Sequence, residues 1–363
     1  MIPVLYKSTA TASDFSKGGI GSLTDMISCK VTERRNAECF MDAEYPIDGL
    51  HYSDIGIGRL IKAPAAPQKP SNIFCILGIG YSIEGKASIY APQIMCLRLS
   101  NAILNTENTS YTWTKGETAT GDDFADIMAA LLPNVQPLLT YCTYTGDEFL
   151  EQGESVKIDW GEDHPNMMTV VQAIANALGG EIEWGFNSVH LHVARGVDSG
   201  LEIRYGLNMT ALDAETDATD YYTGIIPYSG ESYGDFTTIG MGGFSFHKTG
   251  VVDVSDYMTG DTNVTEAGRA WLNAHRGIKT SIKVEFDADG EANVATNGGN
   301  PRYLYLCDTV KVVHPALELS QKEKIVETVF DPLIERYDSL SVGEMLADIT
   351  DTIAALVRQN KKG

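Results

Sequence analysis

With 363 residues, 43% of them hydrophobic and 21% charged, the chain is long enough for roughly two to four compact units, each with a buried core. A net charge of −22 argues against a basic footprint for nucleic acid, and no run approaches the ~18 apolar residues of a membrane span. The opening MIPVLYKSTATASDF lacks an apolar signal core, so synthesis in a cytoplasm without secretion is expected. Cys29, Cys39, Cys75, Cys96, Cys142 and Cys307 form no CxxC pair and read as free buried thiols. The sequons at Asn108, Asn208 and Asn263 carry no meaning without a secretory route.

The first hundred residues read as strands and turns, suggesting a small barrel or sandwich. Ser28–Glu33 and Glu38–Pro46 alternate in part, Arg59–Ala63 is a third strand, and a turn through Pro64, Pro67 and Pro70 follows. Ile73–Ile79 reads as one buried strand with Lys86–Ala91 as its neighbour. Asp122 caps a short helix with the apolar face Phe124, Ile127, Met128 and Leu131, ended by Pro133. A clearer helix spans Asn166–Leu178, with Met167, Val170, Val171, Ile174 and Leu178 on one face and Gly179-Gly180 as its stop. Glu181–Trp184 and Ser188–Val193 then alternate around Gly185-Phe186-Asn187 as a hairpin.

Residues 200–260 are rich in Gly and Tyr and return to irregular β. Asn263 and Glu266 have capping-box spacing, opening a helix with Ala267, Ala270, Trp271 and Ala274 on its face. Strands are expected at Ile282–Phe286, Tyr303–Val313 and Ile325–Asp331, with a polar loop at Asp287–Pro301. Ser341 and Glu344 read as a second capping box. The stripe Val342, Met345, Leu346, Ile349, Ile353 and Leu356 makes a closing helix, packed on its own domain or bundled with copies from neighbours.

Chemistry is sought in vain. HExxH, GxSxG, GxxxxGK[ST] and a nucleotide-binding GxGxxG are all missing. His190 and His192 share one strand face, but no third metal ligand stands at a sensible spacing, so a satisfied pair is the expectation. Asp287, Asp289 and Glu291 echo part of a calcium loop whose ligand order is not completed. Glu162-Asp163-His164 and Asp122-Asp123 sit before helices, where acidic groups meet the positive dipole end. Tyr221, Tyr222, Tyr228 and Tyr233 suit sugar stacking, strands or interfaces equally. No catalytic, cofactor-binding or metal residue is assigned, no cofactor is expected, and a scaffold is favoured over an enzyme.

Several fragments occur together. Val31–Asn36, Glu44–Pro46 and Asn72–Ile76 resemble the N-terminal region of phage minor tail proteins, including the prophage endopeptidase-tail or tail-associated lysin family. Arg204–Asp213 running into Tyr222–Pro227, then Leu304–Val310 and Tyr337–Gly343 with the closing helix, continue that resemblance in order. It implies a β-rich α+β fold similar to the hubs of contractile tails, with two small β-barrel domains per chain, mixed α/β modules and trimers forming a pseudo-sixfold ring.

The implied organisation is a first barrel region at 1–95, a mixed module at 96–200, a β-rich segment of the second barrel at 201–260, a helix-strand module at 261–300, barrel-closing strands at 301–340 and a terminal helix at 341–363. The implied role is a virion tail-tip hub that joins the tail tube to receptor-binding or lytic parts. Its partners are copies of itself (a homotrimer), distal tail or tube proteins and other tip proteins, without sequence-specific nucleic-acid binding or membrane insertion. A peptidoglycan-degrading endopeptidase and a carbohydrate- or receptor-binding tip protein are the alternatives. The chain stops at Gly363, so a lytic or receptor-binding region is expected to be absent or encoded separately.

Overall fold

In the computed structural model, the described residues are 1–116, 121–139, 142–217, 221–240, 243–258, 263–275, 279–286, 303–317 and 319–343. The described residues divide into two compact units, residues 1–212 with 283–343, and residues 213–282. Alternation decides the first strands: Cys39, Met41, Ala43 and Tyr45 turn inward along Cys39–Pro46 while Asp42 faces out. This strand pairs antiparallel with Ser28–Arg34 on one side and Lys86–Pro92 on the other. Val4–Tyr6, Gly21–Ser22, Leu60–Pro64 and Ser71–Cys75 make a separate antiparallel sheet. Leu5, Ile61, Ala63 and Phe74 from this sheet and Val31, Met41 and Ile89 from the other share one apolar core.

The run Ile73–Ile79 is not a single strand. Ser71–Cys75 belongs to the four-stranded sheet, and Gly78–Tyr81 pairs with Lys86–Pro92 in the other. The chain crosses between sheets at Ile76 and Leu77: the Ile76 amide donates to Arg59 and the Leu77 amide to Tyr90. An unbroken apolar run carries no periodicity that marks such a crossing.

Leu319–Asp331 knits the unit together. Its first half pairs with Thr309–His314, its second half with Ser28–Arg34, and Arg336–Gly343 runs along its other side. Asp198–Arg204 adds a parallel strand beside Thr309–His314. One strand expectation and one helix expectation need correction here. The Tyr303–Val313 strand begins only at Thr309, because Leu306 and Cys307 turn, with Cys307 at φ 72. The Asp308 carboxylate holds that turn, accepting from the Tyr305 amide at 3.0 Å and the Val197 amide at 2.9 Å.

Ser341 is not a helix cap either: Ser341, Val342 and Gly343 end a strand, and Val342 is buried opposite Ile325. Local capping spacing lost to ladder pairing and burial of Val342. The rest of the expected closing helix, like the Asp287–Glu291 loop, lies outside the described residues. The large sheet has two ends and no pairing that closes it, so neither expected barrel is seen as a closed barrel among the described residues. The β-rich α+β class stands.

Among the described residues of this unit stand the helices α1 (Ile94–Ser100), α2 (Asp123–Leu131) and α3 (Met167–Leu178). The first was not read from sequence; Gln93 caps it, its side chain accepting from the Met95 and Cys96 amides. The other two match expectation, with Asp122 and Asn166 as N-caps and Gly179 left-handed at the C-terminus of α3. Met167, Val170, Val171 and Ile174 bury the predicted face of α3 in the common core.

In the second unit, Gly224–Ser229 pairs with Ser232–Tyr233, Thr237–Thr238 and, in parallel, Thr249–Asp253. Helix α4 (Val264–Ala274) begins with the predicted capping box of Asn263 and Glu266. Its buried stripe is Ala267, Gly268 and Leu272, and Ala270 faces out, a rotation from the expected face that brings the larger Leu272 inward. Gly268 lies so close to Pro227 that a β-carbon there would come within 2.6 Å of the ring.

Candidate functional site

The candidate residues fall in separate places. Asp122 caps α2, accepting from the Ala125 amide at 2.9 Å and the Gly146 amide at 2.8 Å. Asp123 is buried, accepting from the Phe149 and Leu150 amides at 2.6 and 2.8 Å with the Lys115 ammonium 3.2 Å away. The hydrogen bond to Glu148 chiefly holds Lys115 above the ordinary lysine range, against desolvation, with Asp123 adding to it. The pair is an internal anchor of two loops. Glu162, Asp163 and His164 are exposed just ahead of α3. Tyr222 packs on the small core of the second unit, and Tyr228 lies beside Tyr233 with ring centroids 5.6 Å apart. Tyr233 is left exposed.

The histidine pair is different. Ser188–His192 is the central strand of a three-stranded sheet, parallel to Thr143–Gly146 and antiparallel to Glu181–Trp184. This register sets Thr145 and Glu183 on either side of His190. Asp147 continues the first strand by one residue, its amide donating to Leu191 at 2.9 Å. Ile182, Trp184, Val189 and Leu191 turn to the core, so the opposite face gathers Thr145, Asp147, Glu183, His190 and His192. The imidazole centroids are 4.2 Å apart. His190 Nδ1 lies 2.8 Å from Thr145 Oγ1, and His192 Nε2 lies 2.7 Å from Glu183 Oε2. The third ligand that spacing along the chain did not supply is Asp147, brought in by a parallel strand pairing.

Along the Glu181–Trp184 edge of this sheet runs a partly buried ionic network that sequence reading missed. Glu33 Oε1 meets the Arg195 guanidinium at 2.7 Å, and Glu181 meets Arg35 at 3.1 Å and Lys324 at 2.5 Å. Burial works to raise the Glu181 carboxyl, but the Lys324 ammonium, the Arg195 amide and Arg35 outweigh it and hold the group below the ordinary glutamate value. Asn36, at φ 52 in the turn after Ser28–Arg34, ties that hairpin to the helix-hairpin module. Its side-chain Nδ2 donates to Gly180 O at 2.8 Å, its side-chain oxygen accepts from the Ile182 amide at 2.9 Å, and its backbone carbonyl accepts from the Gln172 side chain.

One sheet edge is open. Gly78–Tyr81 ends the large sheet and pairs with Lys86–Pro92 alone. Leu77 is 51% exposed, Tyr81 71%, and Ile83 at the hairpin tip fully exposed. An uncovered edge with large apolar side chains is a place where another strand or subunit adds.

No family model matches the sequence, and no curated protein matches it. Solved structures do. A prophage tail protein from Listeria monocytogenes superposes with TM-score 0.60 at 13% identity, over 99% of this chain and 100% of that one. The 43 kDa tail protein of prophage MuSo2 from Shewanella oneidensis gives 0.62 at 10% identity, over 94% and 98%. A tail protein from Neisseria meningitidis gives 0.57 at 12% identity, over 94% and 96%. All three are tail proteins and none is named an enzyme. Over nearly its whole length the chain has the fold of these tail proteins.

Proposed function

We propose that the chain is a structural hub of a bacteriophage or prophage tail tip, assembling as a trimeric ring that joins the tail tube to receptor-binding or lytic parts. The observation that carries this is the end-to-end likeness to three prophage or bacterial tail proteins, with almost nothing left over in either chain of each pair. In the ring, each chain contributes two barrel-like regions, giving a pseudo-sixfold face toward the tube. The open edge at Gly78–Tyr81, with Leu77, Tyr81 and Ile83 uncovered, supplies unpaired backbone and apolar area for the neighbouring copy. Three copies carry roughly three times the −22 charge of one, which disfavours gripping DNA.

Imaging of virion tails labelled with antibody to this chain tests the location, and label at the tail end distal to the head is expected. Label on the head, or none on intact particles, defeats the proposal. Light scattering of the purified chain, alone and with tube protein, tests the assembly. Trimers are expected, and a monomer under both conditions overturns the ring.

A further inference from the structure

We infer that Asp147, His190 and His192 form a binding site for one divalent transition-metal ion of the zinc class, bracing the strands Thr143–Gly146 and Ser188–His192. The ligating atoms of the three side chains already lie within 4.8 Å of one another. Ligand atoms around tetrahedral zinc stand about 3.4 Å apart, so rotations of side chains that are one-quarter to one-half exposed close the site.

The surroundings fit a metal better than they fit a bare pair of imidazoles. Each ligand is held by a second group. Thr145 Oγ1 takes His190 Nδ1, leaving Nε2 3.8 Å from Asp147 Oδ1. Glu183 Oε2 lies 2.7 Å from His192 Nε2, so Nδ1 is the other ring nitrogen that His192 can offer. Asp147 Oδ2 accepts from the Val193 amide at 2.8 Å, leaving Oδ1 toward the histidines. A carboxylate or hydroxyl on the far nitrogen of a ligating histidine fixes its tautomer and orientation. Two neutral imidazoles with the Asp147 and Glu183 carboxylates present a charge of −2 to a dication. Paired imidazoles select zinc, nickel or copper over magnesium and calcium, which take oxygen. Three protein ligands leave a fourth position to water.

The test is zinc titration by calorimetry of the full chain without an affinity tag, with metal content measured after dialysis. One zinc per chain is expected, falling to background in the His190→Ala/His192→Ala double variant, with Glu183→Gln weakening binding about tenfold. Circular dichroism checks that each variant is folded. If the double variant does not fold, cobalt substitution of the unaltered chain decides. A four-coordinate visible band without thiolate charge transfer supports the site, whereas a thiolate band assigns the metal to cysteine. No zinc on the unaltered chain, or full zinc on the folded double variant, overturns the inference.

Discussion

Arg195 and Glu33 meet where strands from distant parts of the chain converge, 83% and 92% shielded from solvent. Removing one partner of such a pair leaves the other charged and buried, which costs far more than the pair itself contributes. Arg195→Met is expected to destabilise the chain by about 3 kcal/mol, read from chemical denaturation. Adding Glu33→Leu should recover most of that loss, since a matched apolar pair strands no charge. Equal loss in single and double variants would show that the packing of the Arg195 stem, not its charge, matters.

Glu181 belongs to the same network but leans on Arg35 and Lys324, which are about a third exposed. Because its folded-state acidity is strengthened, it contributes stability that is fully present above its ordinary value of 4.5 and is lost as the pH falls through the lower folded value. Glu181→Gln should therefore cost about 2 kcal/mol at neutral pH, discounted for solvent screening, and flatten the stability profile below pH 4.5. A variant whose acid unfolding parallels the unaltered chain would remove Glu181 from the titrating set.

At the scale of elements, α3 and the hairpin after it were legible because every local signal agreed. Asn166 caps, the apolar stripe has helical spacing, Gly179 stops the helix and Gly185-Phe186-Asn187 turns the hairpin. Where local signals disagreed with packing, packing decided: Ser341 had cap spacing but Val342 was needed in the core. α1 stayed unread because its seven residues are too few for a helical stripe to stand out, and its cap is a glutamine, outside the usual capping set.

Asn36 is the element-scale residue that no local pattern marks, since all its partners are more than a hundred positions away. Asn36→Ala strands the Ile182 amide and puts a β-branched-free but chiral residue at positive φ. A loss of about 2 kcal/mol is expected in thermal or chemical unfolding. Asn36→Gly, which relieves the φ, should recover only the backbone part.

For the molecule as a whole, the proposed subunit contact at the open edge Gly78–Tyr81 can be tested by a single exposed residue. Ile83→Asp changes a side chain that touches no core, so the folded chain and its melting temperature should hold within the usual surface range of about 0.5 kcal/mol. Assembly should fall, seen as a shift from trimer to monomer in light scattering. Unchanged assembly would move the subunit contact away from this hairpin.

By itself the sequence determined the β-rich α+β class, α2 and α3 of the larger unit and the capped helix α4 of the smaller one. These depend on period, caps and composition, which act within a dozen residues. Only the tertiary structure decided that Ile73–Ile79 divides between two sheets, that Leu319–Asp331 spans both halves of the larger unit, and that Asp147 stands beside His190 and His192. Each of these depends on which strands become neighbours, and that is set by how the whole core closes and not by any local spacing.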